Sequence, residues 1–200
     1  ARYDPAHGHR RQVAPGRKEG HGFRVLFEDR HLLVVEKDPG ILTVPAPGHA
    51  TGTLADRLVE REVQRGTRLP GLYVIHRIDR FTSGLVLFAR SEEAANPLIE
   101  QFTRRTASRE YLAICTGLPD PPQRRLESWL AEEEATRKMR ETKRQPGGRE
   151  KGDKREKAQK AITHFRVEEP LVNAALLRVM LETGRRNQIR VQLAGIGHAL

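Results

Sequence analysis

The chain has 200 residues, with 36 Lys and Arg against 26 Asp and Glu, a formal net charge of +10. That length allows one domain, or one with an appendage, whose core needs no disulfide or metal staple; a single cysteine, Cys115, cannot make an internal disulfide, and no Cys/His cluster has zinc-ligand spacing. No apolar run approaches the roughly 18 residues of a membrane span, and residues 1–24 lack the apolar stretch of a secretory signal, so a reducing cytoplasm is the expected compartment. A pI near 10.3 with 5% aromatics points to a polyanionic partner, nucleic acid ahead of acidic lipid, because clustered Lys and Arg release counterions when they neutralise phosphates.

Residues 1–22 mix Gly, Pro, His and Arg without a hydrophobic period and are expected to form a disordered basic tail; the domain proper is expected to span residues 23–200. Phe23–Phe27 and Leu32–Glu36 are short β-prone runs, Lys37-Asp38-Pro39-Gly40 is a turn, and Ile41–Val44 is expected to return as a strand. Thr53 caps a predicted helix whose Leu54, Leu58 and Val59 share a face. A strand at Leu72–Ile75 enters a polar loop, His76–Gly84, and leaves as a strand at Leu85–Ala89. Ser91, with Glu92 and Glu93 in the following turn, starts a second helix through Leu98, Ile99 and Phe102; Pro97 in its interior predicts a kink or a later start. Glu110–Thr116 reads as a strand. Residues 131–160 read as a charged insertion containing a mobile loop, Gln145–Lys157. Ile162–Val167 and Ala174–Leu181 are predicted strands, and Arg186–Ala194 a helix with Ile189, Leu193 and Ile196 on one stripe. At least seven strands with irregularly interspersed helices make an α+β fold.

The chemistry concentrates in His76-Arg77-Ile78-Asp79-Arg80-Phe81-Thr82-Ser83-Gly84-Leu85. Asp79 lies between Arg77 and Arg80, and a cation within a few Å would keep its carboxylate ionised. Such a group can serve as a nucleophile or a base, or equally fix a tight turn through a salt bridge.

The decamer resembles the HRLDxxTSGL signature of the RluA-type RNA pseudouridine synthase family, with Ile78 in place of Leu. Ser108–Gly117 is similar to that family's basic-x-Tyr-x-Ala strand, and Leu181–Leu200 to its TGRxHQIRxxLxxxGHPL run. Leu33–Val44 is similar to its opening vvdKPaGllvhP hairpin. The resemblance covers residues 23–200 and implies a mixed, largely antiparallel central sheet with flanking helices and a cleft across it. It implies that Asp79 is the catalytic aspartate, acting as the uridine C1′–N1 bond breaks and the uracil rejoins through C5. Tyr111 would pack on the base and remove the C5 proton, and Arg190 would pair with the carboxylate. Arg77, Arg80, Thr82, Arg109, Arg185, Arg186, Asn187, Gln188, Ile189 and Leu193 are the expected substrate or RNA contacts, with Ile189 and Leu193 also readable as wall and core.

Asn187 departs from the family, which usually has His there, and the run Ile196–Leu200 stops where relatives continue, so the sequence reads as truncated. The expected reaction is isomerisation of uridines in ribosomal RNA of the large subunit or in transfer RNA. It calls for no cofactor, no metal and no obligatory protein partner. A binding-only member of the same fold, and an N-glycosidase that would release the base, are the rival readings.

Overall fold

The computed structural model describes residues 22–66, 71–142 and 158–200; the expected tail (apart from Gly22) and the loop Gln145–Lys157 fall outside them. Strands β1 (Phe23–Glu28) and β2 (Leu32–Lys37) pair as an antiparallel hairpin. Along β2 the alternation required by a pleated strand turns Leu33, Val35 and Lys37 inward, all fully buried. Helix α1 (Leu54–Gln64) follows, and Thr53 closes a capping box with Asp56 at its start. Strands β3 (Tyr73–Val74) and β4 (Gly84–Ala89) complete a four-stranded sheet in the order β1-β2-β4-β3. Helix α2 (Glu92–Thr103), capped by Ser91, runs through Pro97 from the start its cap predicted.

Two expectations for this region change. Ile41–Val44 is not a strand, because its polar groups are engaged elsewhere: the Leu42 and Thr43 carbonyls accept from Leu54 and Ala55 at the start of α1, and the Ile41 carbonyl accepts from Lys37. On α1, Val59 is 48% exposed, and the buried stripe is Leu54, Leu58 and Glu62. Glu62 tolerates burial because Arg61 and Arg90 both face its carboxylate, at 2.5 and 3.0 Å. The same two arginines hold Glu28 of β1 at 2.9 Å each, tying the first strand to α1 and to the end of β4.

The chain divides at Thr106/Ala107 into two compact units. The second contains β5 (Glu110–Thr116), β6 (Gln123–Glu132), β7 (Met139–Thr142), β8 (Gln159–Leu171), β9 (Ala174–Leu181) and helix α3 (Gln188–Gly195). Its sheet has the order β5-β9-β8-β6-β7. The architecture is the expected α+β one, its strands arranged as two sheets in which every ladder between named strands is antiparallel. The charged stretch from Gln123 conceals β6 and β7, whose extended form is secured by ladders rather than by apolar content: β6 pairs with β8 on one side and β7 on the other. Leu126, Phe165, Leu177, Val179 and Leu193 form the core of this unit, with Ile189 and Ile196 of the predicted stripe packed against it. Among the described residues no helix is long and apolar enough to cross a membrane.

Glu28 provides a measurable signature of the first unit. Burial alone would push its carboxyl up, but the Arg61 hydrogen bond and the charges of Arg61, Arg65 and Arg90 outweigh that and hold it below its ordinary 4.5. Its stabilising contribution is complete above that value and is lost as pH falls through the lower folded value. Urea unfolding at about pH 5 and about pH 3 should show a larger acid loss for the wild type than for Glu28→Gln. Equal acid losses in the two proteins would contradict the network's role.

Candidate active site

The decamer from His76 to Leu85 spans the passage from β3 to β4, and its two ends are fixed first. The His76 ring stacks on Phe102 of α2 at 4.6 Å, and its Nε2 accepts from the Leu87 N–H at 3.2 Å. This histidine braces the loop, with one ring nitrogen already engaged. At the other end Gly84 enters β4 with φ +130°, a conformation disfavoured for residues with a Cβ. Between them Asp79–Thr82 forms a turn closed by the Thr82 N–H donating to the Asp79 carbonyl at 3.1 Å, with Arg80 and Phe81 at its corners.

The backbone on both sides of Asp79 is held by the segment that follows β2. Before it, the buried Thr43 hydroxyl donates to the Ile78 carbonyl at 2.9 Å and accepts from the Ile78 N–H at 3.3 Å. After it, the Arg80 carbonyl accepts from the Gly40 N–H at 2.8 Å and from Lys37 Nζ at 3.1 Å. Lys37 Nζ also donates to the Asp38 and Ile41 carbonyls, at 2.9 Å each, so all three ammonium hydrogens have an acceptor. Burial pulls this lysine down to about 8, against the opposing charges of Asp38 and Asp79. Asp79 itself is half-buried, and Arg77 and Arg80 are exposed beside it.

Tyr111 and Arg190 belong to the second unit. Tyr111 lies on β5 opposite Val179 and packs on the core together with Ile189. Arg190 is exposed on α3, where its Nη1 donates to the Leu200 carbonyl at 3.3 Å. Arg109 and the Thr183-Gly184-Arg185 run come together: the Arg109 guanidinium lies against Gly184, so a side chain there would displace it. Arg185 donates through Nε to the Lys160 carbonyl at 3.1 Å, while Arg186 faces Glu132 at 3.3 Å and the Arg137 carbonyl. Asn187 opens α3 at φ +54°, a left-handed conformation for which Asn and His are both enriched, so the exchange of one for the other suits the backbone.

Gln188 and Leu193, expected among the RNA contacts, lie inside the unit instead. Leu193 is fully buried in the core. Gln188 is 2% exposed: its Oε1 accepts from the Thr183 hydroxyl and the Arg185 N–H, and its Nε2 donates to the Ile162 carbonyl and Thr163. Gln192 extends this network to Thr163, Ser128 and Ala161. These amides fasten α3 and its arginine-rich entry to the sheet, with no bonding capacity on Gln188 left for a ligand.

The family profile described as RNA pseudouridylate synthase matches residues 31–195. The chain belongs to that family. It is 35% identical over 181 residues to "Ribosomal large subunit pseudouridine synthase D" of Zymomonas mobilis, covering 88% of this chain and 53% of that protein. It is 34% identical over 185 residues to "Uncharacterized RNA pseudouridine synthase YlyB" of Bacillus subtilis, covering 88% and 55%. The chain thus spans about half the length of these curated relatives. In fold it is similar to "Human RNA Pseudouridylate Synthase Domain Containing 4", with a TM-score of 0.69 at 24% identity over 88% of this chain and 65% of that one.

Lys37 and Thr43 were absent from the site residues expected from sequence. For Lys37 a signal existed, since it continues the inward alternation of Leu33 and Val35. For Thr43 there was none, because its partner lies 35 residues away. Thr43→Val keeps the shape but leaves the Ile78 N–H and carbonyl unpaired in buried surroundings, and is expected to cost about 1–3 kcal/mol in urea unfolding. Thr43→Ser should recover most of that loss. A valine variant as stable as wild type would show that Ile78 is held by other contacts.

Proposed function

We propose that this chain carries the chemistry of an RNA pseudouridine synthase that isomerises uridine in large-subunit ribosomal RNA, with Asp79 as the catalytic carboxylate. The observation that carries this reading is the clamped decamer: in a chain of this family, the carboxylate at the signature position stands on a turn whose flanking peptides are fixed on both sides. A positioned carboxylate loses little further freedom on reaching its transition state, the condition under which proximity accelerates a reaction most. The ribosomal substrate is supported by the name of the relative from Zymomonas mobilis, a large-subunit pseudouridine synthase, and the location proposed with it is the cytoplasm.

In the proposed reaction the C1′–N1 bond of uridine breaks, the uracil turns, and a C1′–C5 bond forms; the proton leaves C5 and N1 gains one, so nothing is oxidised or reduced. Asp79 acts on the nucleoside as nucleophile or base. Tyr111 and Arg190 of the second unit are proposed to serve the same reaction, Tyr111 packing on the base and taking the C5 proton and Arg190 attending the carboxylate. Arg77, Arg80, Thr82, Arg109, Arg185, Arg186, Asn187 and Ile189 are the proposed RNA contacts. The base must leave its stack to be reached, at a cost of a few kcal/mol that phosphate and stacking contacts offset.

Asp79→Asn preserves shape and removes the charged group. On large-subunit ribosomal RNA from a strain lacking the gene, wild type should form pseudouridine and Asp79→Asn none detectable, while RNA affinity changes less than about three-fold because phosphate contacts supply most of it. Transfer RNA assayed in parallel tests the substrate class. Released uracil would identify an N-glycosidase, and substantial turnover by Asp79→Asn would remove Asp79 from the chemistry.

A further inference from the structure

The turn that presents Asp79 also presents an exposed aromatic ring. Phe81 is 72% exposed, whereas the other five phenylalanines are buried or half-buried. A single exposed apolar side chain is ordinary on a protein surface, but three features distinguish this one. It occupies a corner of the Asp79–Thr82 turn. That turn is anchored on both sides, through Ile78 to Thr43 and through Arg80 to Gly40 and Lys37, so the ring is carried on fixed backbone. Finally, the Arg80 guanidinium lies over the ring, with Cζ 5.3 Å from its centroid, and is itself held by Nε donating to the Gly40 carbonyl at 2.9 Å.

A flat apolar ring backed by an anchored guanidinium, with exposed Arg77 nearby, suits a ligand that is planar and uncharged where it meets the ring but belongs to a polyanion. An unpaired nucleobase of RNA has that chemistry: it stacks on an aromatic face whatever its identity, while its phosphates meet arginine. Pre-anchoring matters because a platform already ordered in the free protein does not spend affinity on being ordered. Two residues of chain span at most about 7 Å. A base stacked on Phe81 therefore belongs to the uridine whose sugar meets Asp79 or to a nucleotide beside it; since the reacting uracil must leave C1′ and turn, a fixed stack suits the neighbour.

We propose that Phe81 is a stacking platform for an unpaired RNA base neighbouring the reacting uridine. This rests on the RNA-modifying reading above and adds to it a contact that draws the flanking nucleotide into recognition. Since every base has a flat face, the platform asks for an unpaired neighbour and does not specify which base it is.

Two measurements test it, one independent of turnover. In the Asp79→Asn background, binding of a labelled oligouridylate is followed by fluorescence anisotropy. Replacing Phe81 by Ala should weaken binding about ten-fold, the size of one aromatic–base stack. Phe81→Leu should weaken it similarly, because it retains apolar bulk without a flat face, whereas Phe81→Trp should stay within about two-fold of Phe. Abasic residues on both sides of one central uridine should weaken Phe81 protein and leave the Ala variant nearly unaffected, since both changes delete the same contact. On large-subunit ribosomal RNA, Phe81→Ala with Asp79 intact should raise KM with kcat little altered. The proposal is overturned if leucine binds as well as phenylalanine, if the protein and abasic losses multiply, or if kcat falls while KM holds. Should wild type form no pseudouridine, the functional reading fails, while the binding measurement still decides whether Phe81 stacks on RNA.

Discussion

A carboxylate proposed to act at one atom of a nucleotide cannot depend on a surface turn to hold itself still; the bonds that hold it must come from elsewhere in the chain. In this protein they come from residues 37–43, which bind the peptides immediately before and after Asp79 through Thr43, Gly40 and Lys37. Much of the first unit can be understood as what that arrangement requires. Strand β2 delivers Lys37 to the buried side, and the pairing of Lys37 with Gly84 places the end of β2 beside the start of β4, so one ladder sets both the clamp and the exit of the loop it holds. Residues 41–43 must stay outside the sheet to offer a hydroxyl and carbonyls in other directions, and the first turn of α1 takes two of those carbonyls.

The formal charge of +10 overstates how much cationic surface is available to the proposed RNA substrate. Arg61 and Arg90 are committed to Glu28 and Glu62 inside the first unit. On the second sheet, Arg178 lies between Glu110 and Glu168, and Arg125 faces Glu127 and Glu182. Exposed pairs of this kind contribute little stability, but they neutralise guanidinium groups that composition alone would assign to phosphates. The arginine that remains most informative is Arg80, whose Nε is held by the Gly40 carbonyl beside its anchored turn.

Where sequence expectations held and where they failed follows from the range of the forces involved. Thr53 and Ser91 mark their helices correctly because a cap is satisfied by a backbone N–H three residues ahead. Glu110–Thr116 and Ala174–Leu181 were legible because alternation is local. Ile41–Val44 has the composition of a strand and was misread, since its hydrogen-bonding groups go to partners up to 35 residues away. Strands β6 and β7 were hidden by charge for the complementary reason: their partners on the neighbouring strands make them extended. Gln188 was expected at the RNA from the resemblance; four hydrogen bonds from two stretches of the chain, Ile162–Thr163 and Thr183–Arg185, make its burial possible.

The sequence by itself determined the family, the order of most elements, and the residue types at the positions where chemistry is expected. Those features are encoded in short runs: a decamer around Asp79, a tyrosine on an alternating strand, an arginine-rich entry to a helix. Tertiary structure alone decided which of these residues are available to a ligand and what holds Asp79. Burial and hydrogen-bond satisfaction are properties of what a folded chain brings alongside a residue. The hydroxyl of Thr43 and the peptide of Ile78 meet only because β2 and β4 pair, a contact no window of sequence around either residue contains.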